Sequence, residues 1–110
     1  MKETFMELIQ RYFDMLHFDV SVYAADMYDE ASRAQVIQSV DRFGVTARVL
    51  ESLGLDGWGR IADVLTTMWW TCQELYPDEV DQKHLRNDLL ELAKLYRSAM
   101  ETAADPTGRG

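Results

Sequence analysis

Two histidines each follow an aspartate by three positions: Asp14 and His17, then Asp81 and His84. Residues three apart share a helix face, so each pair offers a carboxylate and an imidazole to a metal from one side. Di-iron helical bundles use a related arrangement, Glu-x-x-His twice plus a glutamate from each remaining helix. This chain departs from that pattern. Its acids are the shorter aspartates, both histidines flank the apolar face, and Asp14 points almost directly away from it. The spacing therefore favours surface pairs. A helical metalloprotein built on the two Asp-x-x-His pairs is one alternative reading, and no metal or cofactor is assigned.

The other reactive groups read as structural. Cys72 is the only cysteine, which excludes an internal disulfide. It falls on an apolar face with Met68, Trp69 and Tyr76, near a helix C-terminus, where nothing would hold a thiolate. There is no Gly-x-Ser-x-Gly elbow. The stretch Gly57-Trp58-Gly59 is followed by no Lys-Ser/Thr and fits a helix-starting turn. No catalytic residue is assigned, and the chain is read as a non-enzyme.

The elements that would position these groups are set by glycine and proline. Residues 1–43 contain neither. They appear at Gly44, in the run from Gly54 to Gly59, at Pro77, and in the segment 106–110. Between them, apolar residues recur at helical spacing. A first helix is expected from Lys2 to Asp29 on Phe5, Ile9, Tyr12, Leu16, Val20, Tyr23 and Met27. The period-two stretch from Phe18 to Tyr23 also permits a short strand or a break near His17 to Asp19. A second helix is expected from Ala31 to Leu53, capped by Asp29 or Ser32. Its face Val36, Val40, Phe43 is followed after Gly44 by Val45, Val49, Leu50 and Leu53, rotated by about a third of a turn. That phase change predicts a kink or break near Gly44. Gly54 suits a left-handed cap, and Asp56 can cap a third helix from Gly57 to Tyr76, ended by Pro77. Asp78 caps a fourth, to about Ala103, on Leu85, Leu89, Leu92, Tyr96 and Ala99. The expectation is an all-α fold: a four-helix up-down-up-down bundle as one domain over 1–104, with a flexible tail at 105–110.

Composition agrees. The 110 residues are 47% hydrophobic, enough for one core and against global disorder. The net charge of −8 disfavours nucleic acid and anionic membranes as partners. No run approaches the ~20 apolar residues of a membrane span, and the acidic N-terminus is unlike a secretory leader. A cytoplasmic protein is expected. Acidic and near-neutral segments alternate along the chain, which predicts acidic helices lying between less acidic ones.

Two features point to surfaces. Trp70 lies about 160° from the centre of the third helix's apolar face, among Asp63, Thr66, Thr67 and Glu74. Exposed tryptophan is a favoured interface anchor. On the first helix, Met15, Phe18, Val22 and Ala25 form a second apolar stripe if that helix is continuous. The leading reading is a protein-protein interaction module of accessory, inhibitor or chaperone type. It would dock an apolar-centred, acid-rimmed surface on a partner with a basic surface, or on a second copy of the chain. The contact residues would be Trp70, Asp63, Glu74, Met15, Phe18 and Val22. A further alternative is an acidic inhibitor that mimics nucleic acid.

Overall fold

In the computed structural model, residues 3–104 are described, and the expected tail at 105–110 lies outside them. Among these residues four helices form: α1 (Phe5–Ala25), α2 (Glu30–Ser52), α3 (Trp58–Cys72) and α4 (Glu79–Ala104). Each begins or ends for a local reason. The Thr4 hydroxyl accepts the Glu7 N–H at 3.1 Å and starts α1. Asp29 starts α2, accepting from the Ala31 N–H at 3.1 Å and the Ser32 hydroxyl at 2.9 Å. The C-terminus of α2 closes with two bonds, from Gly54 N–H to Glu51 C=O and from Leu55 N–H to Leu50 C=O. Gly54 adopts φ +81°, the left-handed conformation this closure requires. Asp78 and Asp81 each accept the other's backbone N–H, at 2.9 and 3.0 Å, and start α4.

The connections fix an up-down-up-down bundle. Gln10 on early α1 accepts from the Tyr96 hydroxyl on late α4. Gln82 on early α4 donates to the carbonyl of Ala24 on late α1. Arg33 on early α2 reaches the end of α3, and Arg48 on late α2 reaches Asp63 on early α3. Each helix thus packs antiparallel on its neighbours, α1 closes the ring against α4, and α1–α3 and α2–α4 are diagonal. One aromatic ring from each helix meets in the core. Phe13 stacks on Tyr96 at 4.0 Å, and Phe43 lies 6.0 Å from Phe13, Trp58 and Tyr96 at tilted angles. Such tilted contacts suit the ring quadrupoles.

Four sequence expectations are corrected. First, α1 stops at Ala25 rather than Asp29; through His17–Asp19 it is one helix, as the expected helical face required, with neither strand nor break. Second, α2 is not broken: one helix runs through Gly44. Its buried residues Val36, Val40, Phe43, Ala47 and Leu50 keep a single face, because Ala47 carries the face past the glycine. Val45, Val49 and Leu53, which set the apparent phase change, are exposed. Third, α3 is capped by Gly57, at φ +88°, and not by Asp56. A Cβ at Gly57 would also meet Ala99 Cβ at 3.4 Å, so α4 passes close by. Fourth, α3 ends at Cys72, leaving Tyr76 off the apolar face and 85% exposed. Arg33 stabilises that early end: its guanidinium donates to the carbonyls of Cys72 and Gln73 at 2.9 and 3.1 Å. A cation there also suits the helix dipole.

Candidate functional site

The groups that first suggested chemistry do not assemble. Among the described residues, no group of three or more His, Cys, Asp or Glu is placed to hold a metal ion. The two Asp-x-x-His pairs therefore do not merge into one site. Cys72 is buried, and burial pushes its thiol up to about 12. It stays protonated and packed at neutral pH. Asp88 has one buried carboxyl oxygen without a hydrogen-bond partner, and burial raises its pKa. The titratable groups acting on it are Glu91 and His84 of its own helix.

Two surfaces stand out instead. The first is a groove of about 520 Å³ between α2 and α3. Its lining includes Val40, Gly44 and Leu65, with Val45 and Val49 on the α2 side and Thr66 and Trp69 on the α3 side. Gly44 opens it: a Cβ built there meets nothing within 4 Å. The Trp69 ring lies 5.0 Å from that of Trp70, edge to face, and Trp70 is 66% exposed. Arg48 bridges α2 to α3 above the groove through Asp63, at 3.2 Å.

The second surface is one end of the bundle, where the α1–α2 and α3–α4 connections meet. The Tyr28 hydroxyl donates to the Pro77 carbonyl at 3.1 Å and ties them together. Residues 26–30 and 73–81 contain Asp26, Asp29, Glu30, Glu74, Asp78, Glu79 and Asp81, and no Lys or Arg. These seven charges compare with a net charge of −8 for the chain, so everything else sums to −1. Helix starts account for much of this acid. Asp29, Glu30, Asp78, Glu79 and Asp81 sit at the N-termini of α2 and α4, where carboxylates cap and oppose the dipole. The bond from the Ser32 hydroxyl holds the Asp29 carboxyl below its usual range, and the Asp81 N–H does the same for Asp78. Both stay ionised under mildly acidic conditions. Helix starts do not account for the apolar residues among them: Tyr28 is 76% exposed, Leu75 71%, and Val80 is also exposed. With Tyr76 they make four exposed apolar side chains carried by the same two acidic segments.

The expected contact residues divide between places. Trp70 is exposed on α3, its ring against that of Trp69 in the groove wall. Asp63 is not a free rim charge, because Arg48 compensates it. Glu74 belongs to the acidic end. Met15, Phe18 and Val22 are exposed on α1, Phe18 to 67%, beside shallow recesses shared with Gln35 of α2. The expected alternation of acidic helices is replaced by acid gathered in two connections at one end. Sequence reading missed both surfaces as sites. The groove's signal was present, in the phase change at Gly44. The acidic end was legible only by noting that an up-down bundle brings alternate connections together.

No family model matches this chain, and no curated protein or solved structure matches it significantly. No helix among the described residues is long and apolar enough to cross a membrane.

Proposed function

We propose that this chain is a protein-protein interaction module that docks a basic partner on its acidic end. The observation that carries this reading is the exposed set Tyr28, Leu75, Tyr76 and Val80 inside a segment pair with seven acids and no base. The apolar centre would supply burial on contact, on the order of 25 cal/mol per Å² of apolar surface. The surrounding carboxylates would speed encounter with Lys- or Arg-rich surfaces and reject acidic ones. The reading includes a cytoplasmic setting, where a lone buried thiol remains reduced.

Affinity capture with wild type beside a Leu75→Ser/Tyr76→Ser variant tests it. A partner with a basic surface, held by wild type and lost by the variant at unchanged helicity, is the expected result. The same proteins from both baits would remove the acidic end from the function. A salt titration of the captured complex separates the nucleic-acid-mimic reading. A mimic held by ionic contacts loses affinity steeply with salt, whereas an apolar-centred dock keeps most of it.

A further inference from the structure

The groove between α2 and α3 lies on a face balanced in charge. The charged residues in its lining are Asp41 and Arg48, one of each sign. A balanced face gives no steering to a strongly charged partner. For a second copy of an acidic chain, it is where repulsion is least.

The same face holds two complementary shapes. One is the hole over Gly44, where an added Cβ would enter open space. The other is the Trp70 indole, which projects one turn beyond Thr66, a residue of the groove wall. Four residues of helix span ~6 Å at 1.5 Å per residue, so knob and hole lie side by side. By its helical position Trp70 stays on the flank of α3 that Asp63 uses to reach α2. A surface bearing a knob beside a hole fits itself after a two-fold rotation, the condition for an isologous contact. Val45, Val49 and Trp69 border the hole, and a buried tryptophan covers on the order of 150–250 Å².

We propose that the chain forms a two-fold dimer through the α2–α3 face, each Trp70 seated in the other copy's groove over Gly44. The contact gives a reason for a glycine in mid-helix, where it costs about 1 kcal/mol relative to alanine. It does not depend on the acidic end.

Sedimentation velocity on the full chain, from about 1 to 100 µM, tests it. Wild type is expected to reach twice the chain mass within that range. Gly44→Leu places a side chain in the hole, its Cβ meeting nothing within 4 Å, and it should weaken association by at least about tenfold. Trp70→Ala removes the knob and should do the same. Leu90→Ala, which truncates an exposed side chain on α4, should leave the dissociation constant unchanged. Circular dichroism confirms that each variant keeps its helices. A wild type that stays monomeric throughout overturns the dimer, and if it still captures a basic partner the acidic end keeps its role. A dimer indifferent to both Gly44→Leu and Trp70→Ala, or one lost in Leu90→Ala, also overturns it.

Discussion

Gly44 shows how one residue can carry a message that is misread in kind. From sequence, the apolar residues after it change phase, and a bend is the ordinary physical cause of such a change. In the fold α2 is one continuous helix through Gly44, and the phase change divides buried from exposed apolar residues. Periodicity reports that a residue is apolar; it does not report whether the protein's own core covers it. Trp70 was legible because it stands alone on a polar face, whereas Val45 and Val49 were absorbed into a plausible inward face. Glycine itself remains unfavourable here. Because a Cβ at Gly44 meets nothing within 4 Å, Gly44→Ala should stabilise the monomer by about 1 kcal/mol. Urea unfolding of dilute protein, compared with wild type, measures this directly. An unchanged or lower midpoint would mean that the backbone there is not ordinary helix.

At the scale of the elements, the caps that rest on local chemistry were legible. Asp29, Asp78 and Gly54 act as caps because their chemistry is local: an oxygen two or three residues before a free N–H, or a residue tolerant of positive φ. The end of α3 was not legible, because Arg33 defines it from 39 residues away in sequence. Pro77 limits how far that helix could extend, but the cation decides where it stops. Asp29→Ala removes an acceptor for the Ala31 N–H and the Ser32 hydroxyl at once. It should lower the unfolding midpoint, as loss of a helix cap does. Asp29→Asn, which keeps an acceptor oxygen, should recover most of that loss. Thermal unfolding of the pair separates the capping bond from the charge, and equal losses in both would assign the effect to charge alone.

For the whole molecule, the bundle was legible because every helix carries its own apolar face and every connection its own punctuation. The gathering of acid at one end was not, since it arises from topology: segments 26–30 and 73–81 are distant in the chain and adjacent in space. Global stability should depend on pH at both extremes. Burial raises the Tyr23 hydroxyl and pushes the Cys72 thiol and the Tyr96 hydroxyl up to about 12, from ordinary values of 9.0 for the thiol and 10.0 for the hydroxyls. Between these values the unfolded chain loses protons that the folded chain retains, so stability falls as pH rises through that window. Asp29 and Asp78 work in the opposite sense, and their contribution is lost as pH falls below the usual carboxylate range of 3.8. The urea midpoint should therefore be lower at about pH 10.5 than at about pH 7, and a flat profile between them would show that these groups titrate alike folded and unfolded. The body measures 47 Å along its longest axis and 20 Å along its shortest. Seven of its nineteen acids lie at one extremity, with Arg33 the base paired to one of them, so such a body feels a torque in the field of a cationic surface. Like a compass needle it turns before it touches, and the extremity bearing Tyr76 arrives first.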